Sequence, residues 1–124
     1  MEKIQCICRM RDLIRALSEL ETRLEETYGI TLNEAMVLCA VGKEIVSAGD
    51  VTSRTGMTSS HASKTIRSVE DKGLLSRQLG KQDRRQMYFA LTRKGRSRLE
   101  RIKERGIDVP EWLAPLFAVR EAAE

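Results

Sequence analysis

Six side chains within nine positions, Ser59, Ser60, His61, Ser63, Lys64 and Arg67, combine short hydroxyls, one imidazole and two cations. With Ala62, Ile66 and Val69 turned the other way at helical spacing, they form the polar face of a helix that Thr58 can cap. Short hydroxyls do not hold a backbone away from a base edge. The partial positive charge at a helix start favours phosphate, so a helix of this kind can lie deep in a major groove. Lys64 and Arg67, one turn apart, reach phosphate or guanine from the same side, and Thr58 to Ser63 stand at the leading end. A second cationic group follows in Gly80-Lys81-Gln82-Asp83-Arg84-Arg85-Gln86. As the tip of a hairpin it would project Lys81, Arg84 and Arg85 towards an adjacent minor groove. Asp83 repels phosphate, and reads instead as an internal partner that orients the guanidinium of Arg85. Arg77, Arg93 and Lys94 are candidate phosphate neighbours. Arg54 either joins them or faces water.

The charge distribution supports the same chemistry. The 124-residue chain carries a formal charge of +4. Residues 1–53 hold six lysines and arginines against nine acids, residues 54–105 fifteen against five, and residues 106–124 one against four. A basic middle between acidic ends is the footprint of a polyanion-binding face. Enzyme classes find little support: there is one histidine, aromatic residues are 4%, and no metalloprotease helix, catalytic triad spacing or phosphate-cradling glycine loop occurs. No cofactor and no metal site are expected. The uncharged apolar runs Ala35 to Gly42 and Trp112 to Val119 fall far short of the about 20 residues that span a membrane. Arg9, Arg11, Asp12 and Arg15 interrupt any leader-like apolar stretch. A soluble, cytoplasmic protein without membrane contact is expected, and the three cysteines do not make a disulfide framework.

The elements that must position these groups follow from periodicity and caps. Ile7, Met10, Leu13, Ile14, Leu17, Leu20, Leu24 and Tyr28 mark a long helix with a narrow apolar stripe suited to another helix, and Gly29 stops it. Thr31-Leu32-Asn33-Glu34 is a capping box that opens a short apolar helix to about Val41, in which Cys39 is expected to fill core. Ser47-Ala48-Gly49-Asp50 opens a second short helix to about Thr55, and Gly56 breaks it. The Thr58-capped helix runs to Lys72. Leu74–Leu79 and Met87–Leu91 read as a hairpin. Thr92 caps a helix with Leu99 and Ile102 inward, ending at Gly106. Beyond it Val109, Trp112, Leu113, Leu116 and Phe117 share one side of an amphipathic stretch that Pro115 either kinks or delays. The spacing predicts a mainly α fold with a small β-hairpin, a winged helix-turn-helix. The DNA-binding lobe would span about 31–95, with helices at about 1–28 and 96–124 for dimerisation.

The run from Asp50 to Lys64, the segment Glu70-Asp71-Lys72-Gly73-Leu74-Leu75-Ser76-Arg77, and Gly29-Ile30-Thr31-Leu32 together resemble the DNA-binding region of MarR-family regulators. The most specific piece is Asp83-Arg84-Arg85, followed five residues later by Leu91-Thr92-Arg93-Lys94-Gly95. The resemblance covers about residues 30–106. It implies a homodimer that binds pseudo-palindromic double-stranded DNA, usually as a repressor, and is released by a small molecule, an oxidant or a metal. Its dimer would be built from the first and last helices. The stretch after Gly106 is short for that family. Some relatives sense oxidants through an N-terminal cysteine, which makes Cys6 and Cys8 redox candidates. Two residues apart on one helix, however, they point to roughly opposite sides. A winged helix that docks on protein rather than DNA is the alternative, and the cationic middle of the chain argues against it.

Overall fold

The computed structural model describes residues 3–80 and 85–117. Helix α1 spans Lys3–Tyr28, beginning earlier than the apolar stripe requires. It ends where Gly29 takes φ 72° and its N–H closes on the Glu25 carbonyl at 2.8 Å. Helix α2 (Leu32–Val41) starts on the expected capping box, with both arms formed. Ser47 and Asp50 form the same box at the start of α3 (Ala48–Thr55), and Gly56 at φ 77° terminates it in the left-handed region. Helix α4 (Ser59–Asp71) is capped by the Thr58 hydroxyl. Strands β2 (Leu75–Leu79) and β3 (Met87–Leu91) make the hairpin. Helix α5 (Arg93–Arg105) is capped by Thr92.

A strand that the sequence pattern does not reveal precedes α3. Two residues, β1 (Val46–Ser47), pair antiparallel with Phe89 and Tyr88, so the sheet is three-stranded in the order β1-β3-β2. Leu74 belongs to the turn rather than to the hairpin strand. Its N–H bonds the Val69 carbonyl at 3.1 Å and its carbonyl accepts from Thr92 at 3.0 Å. This close passage explains the glycine of the Leu-Thr-x-x-Gly run: a Cβ on Gly95 would sit 2.0 Å from the Leu74 carbonyl oxygen. No side chain fits there.

One core lies beneath the sheet and helices α2 to α5. Ile30, Val37, Leu38, Val51, Val69 and Leu74 are each fully buried in it. A smaller cluster forms where Leu113 packs on Ala16 and Leu20 of α1. Here the structure departs from the expected amphipathic helix. Residues after Gly106 form a turn, in which the Pro110 carbonyl accepts from Leu113 and Ala114, and then a 3₁₀ helix at Ala114–Phe117. Pro115 inside an α-helix would clash with the carbonyl four residues earlier. Leu113 is therefore the sole fully buried member of the stripe, Val109 is half-buried, and Trp112, Leu116 and Phe117 stay exposed.

Cys39 is a second correction. It lies exposed rather than in the core, because α2 turns Val37, Leu38 and Val41 inward and leaves the Cys39 face open.

Candidate nucleic-acid interface

Helix α4 separates its two faces cleanly. Ala62, Thr65, Ile66 and Val69 are buried, while Thr58, Ser59, Ser60, His61, Ser63, Lys64 and Arg67 are all exposed. The Thr58 hydroxyl accepts from the His61 N–H at 3.2 Å. The Thr65 hydroxyl bonds back to the His61 carbonyl at 2.9 Å, which satisfies its buried position. The first turn carries no acidic residue, so its unpaired N–H groups and partial positive charge face outward uncompensated by a carboxylate. His61 has a neighbour on α2: the Asn33 amide nitrogen lies 3.2 Å from His61 Nε2. Nothing in the sequence spacing marks Asn33 for that contact.

The hairpin rises next to this helix. Its strands pair from Leu75↔Leu91 to Leu79↔Met87, and the Gly80 N–H bonds the Gln86 carbonyl at 2.9 Å. Arg85 is exposed at its tip. Lys81, Asp83 and Arg84 lie outside the described residues, and so does the expected pairing of Asp83 with Arg85.

Three other basic residues are engaged within the fold. Arg77 grips Glu70 of α4 with two nitrogens, at 2.6 and 3.2 Å, and its guanidinium lies 5.4 Å from the centre of the Phe89 ring. The hydrogen bond to Glu70 holds that guanidinium in its charged form. Arg54 neither reaches for phosphate nor faces water alone. It donates to the Ala40 carbonyl and to Glu44, each at 2.7 Å, so it caps the end of α2. Lys94 donates to the Lys72 carbonyl at 3.1 Å, whereas Arg93 is exposed.

Behind α4, Glu34 does more than complete its capping box. Its carboxylate is 3% exposed and lies 2.6 Å from Lys72 Nζ; it also accepts from Ser68 Oγ. Burial pushes this carboxyl up, but hydrogen bonds from Lys72, Ser68 and the Thr31 N–H outweigh it and leave it below the ordinary glutamate value. The Thr-x-x-Glu spacing identifies Glu34 as a cap and is silent on its second role.

An open apolar cleft of about 590 Å³ lies between α1, α2, α3 and α5, with Leu24, Leu32, Met36, Cys39 and Ile102 among its walls. Partial desolvation by the cleft walls raises the surface-accessible Cys39 thiol, with nearby Lys103 acting in the opposite sense. Cys6 is exposed and Cys8 half-buried on α1. Among the described residues, no group of three histidine, cysteine or acidic side chains could hold a metal ion. No helix among them is long and apolar enough to cross a membrane.

The fold is shared with known regulators. Residues 28–86 match the family model described as MarR family. A MarR-family transcriptional regulator from Streptomyces coelicolor, AbsC, is 22% identical with a TM-score of 0.70, over 94% of this chain and 88% of that one. MepR of S. aureus, in a complex with DNA, is 20% identical with a TM-score of 0.63 over 77% and 79% of the two chains. BpsR of Bordetella bronchiseptica, whose DNA binding is regulated by 6-hydroxynicotinic acid, is 21% identical with a TM-score of 0.67 over 99% and 100%. At these identities the likeness establishes the fold. No curated protein matches the chain in sequence. Capped helix α4, adjoining hairpin and family-model match agree: this region of the chain is similar to the winged helix-turn-helix of MarR-family regulators.

Proposed function

We propose that the chain is a sequence-specific regulator of transcription that grips double-stranded DNA as a homodimer. The observation that carries this reading is the sorted surface of α4. Every residue of that helix expected to meet a base or phosphate is exposed, and the helix is bolted beside the hairpin by the Glu70–Arg77 pair. Ser59, Ser60, His61 and Ser63 enter the major groove, Lys64 and Arg67 contact phosphate or guanine, and the hairpin residues Lys81, Arg84 and Arg85 follow the minor groove. In this reading Asp83 is the partner assigned to orient Arg85.

A second copy is the partner that suits α1. Ile7, Met10 and Ile14 are 66%, 58% and 66% exposed on one stripe of a 26-residue helix, an apolar surface that a lone chain would leave in water. The DNA complex of MepR and the effector-controlled binding of BpsR support the same reading by analogy. Repression is the mode we favour, with release by a small apolar molecule in the cleft at Met36 and Cys39, or by oxidation at Cys6 or Cys8.

Selection of bound sequences from random duplex DNA tests the proposal. The expected product is an inverted repeat whose half-sites lie about 34–36 Å apart or a multiple of that distance. Recovery of no common sequence, with binding insensitive to salt, would favour a protein-docking role instead.

A further inference from the structure

Lys72, the residue that follows α4, touches every other long element of the helical frame. Its ammonium donates to Glu34 Oε1 on α2 at 2.6 Å and to the carbonyl of Gly29, which closes α1, at 3.1 Å. Its own carbonyl accepts from Lys94 of α5 at 3.1 Å. A lysine at a helix end ordinarily turns back on the last carbonyls of its own helix. Here the ammonium reaches instead across to the end of α1, and Glu34 ties the same spot to Ser68, one turn earlier on α4. The Lys72 side chain is 38% exposed, so solubility does not require this geometry.

We propose that Lys72 is a positioning residue: it fixes the tilt of α4 against α1 and α5, and with it the separation of the two recognition helices in the dimer. This rests on the function proposed above, in which α1 joins the two copies. The leverage is large. Helix α4 has 13 residues and is therefore about 20 Å long at about 1.5 Å per residue. A tilt of about 10° about its Lys72 end displaces the reading end by about 3 Å, close to the about 3.4 Å between successive bases. Small slack at Lys72 thus becomes misregister of a whole base step.

Two measurements on the full chain test this, one without DNA. In a background with Cys6, Cys8 and Cys39 replaced by serine, nitroxides at position 63 of both copies report the distance between recognition helices. The parent is expected to give one narrow distribution, Lys72→Arg the same, and Lys72→Met a broadened one. Methionine keeps the apolar stem and removes the charge. Should it fail to fold, Lys72→Gln, which retains a donor for the Gly29 carbonyl alone, is measured in its place, and slack is expected because the Glu34 pairing is lost. The second arm uses a duplex bearing the inverted repeat selected by the parent chain, and duplexes with one base pair added or removed between half-sites. Lys72→Met is expected to lose about fivefold or more of the preference for the native spacing, with binding to random duplex unchanged. A variant as narrow in distance and as selective in spacing as the parent, whatever its melting temperature, overturns the proposal. A parent with no selected repeat would refute the DNA-reading function and leave the distance arm to judge Lys72 by itself.

Discussion

Glu70 and Arg77 face each other across the Gly73 turn, with Arg77 Nη2 2.6 Å from Glu70 Oε1 and Nε 3.2 Å from Oε2. This two-pronged contact joins the last turn of α4 to the first strand of the hairpin, tying together the two elements proposed to face DNA. Their side chains are 21% and 42% exposed, and solvent screening keeps the stabilisation to about 1 kcal/mol or less. Arg77→Met is therefore expected to shift a urea melt only slightly and yet weaken binding to the selected operator, measured by fluorescence anisotropy. Undiminished operator affinity would separate this pair from DNA recognition.

Gly95 and Gly49 make opposite predictions for the same substitution. A methyl group on Gly95 meets the Leu74 carbonyl oxygen, a backbone atom, at 2.0 Å, whereas at Gly49 the nearest atom is the Ser47 hydroxyl at 3.6 Å. Gly95→Ala should cost about 3 kcal/mol or more, or prevent folding. Gly49→Ala, inside α3, should be neutral or stabilise by up to about 1 kcal/mol. Chemical denaturation of the two variants side by side decides.

Glu34 gives the fold a defined acid dependence. Its carboxyl lies below the ordinary value of 4.5 in the folded chain. It therefore contributes stability above about pH 4.5 that is lost as the pH falls through the lower folded value. Glu34→Gln should cost about 1–3 kcal/mol near neutrality, moderated because Lys72 remains partly in water. The gap between the two melting temperatures should close as the pH is lowered below that range. A constant gap down to pH 3 would show that the carboxylate's charge contributes nothing.

Lys64, Arg67 and Arg85 can be sorted by how their removal acts. Without a cation that meets phosphate in each half-site, the slope of log affinity against log salt falls by about 0.9 per phosphate, and all sequences are bound more weakly alike. Without a side chain that reads guanine, about 1–3 kcal/mol of discrimination disappears and preference relaxes at one position. Lys64→Gln and Arg85→Ala are expected to behave in the first way and Arg67→Ala in the second, read from salt titrations and repeated sequence selection. A full slope in Lys64→Gln and Arg85→Ala, with undiminished discrimination in Arg67→Ala, would remove these side chains from the interface.

Oxidant sensing at Cys6 and Cys8 has its own test. The two thiols stand about 200° apart around α1, so they cannot bond to each other within one helix, and the disulfide considered runs between copies. Replacing both with serine should abolish peroxide-induced release from DNA. Continued release would end the idea.

Much of this could be read from the residues in order, because the signals are local. Thr31, Ser47, Thr58 and Thr92 each announce a helix start, and each caps the helix it precedes. The polar face of α4 follows from period alone. What stayed hidden depends on partners distant in sequence. Val46 and Ser47 become a strand because β3 offers them an edge. Arg54, an apparent surface cation, is drawn to the end of α2. Asn33 meets His61 across 28 positions. Cys39 reads as core because α2 is apolar almost throughout, and periodicity cannot orient a helix that has little contrast between its faces. The stripe from Val109 to Phe117 failed for another reason: Pro115 forbids the α-helix that would have aligned it.

The oily stripe of Ile7, Met10 and Ile14 also bears on dosage. For a chain that must couple to a twin before it can hold an operator, site occupancy at low abundance rises with the square of protomer concentration. Halving synthesis would then empty the operator about fourfold, by mass action alone. Such a regulator would respond to its own scarcity as sharply as to any inducer.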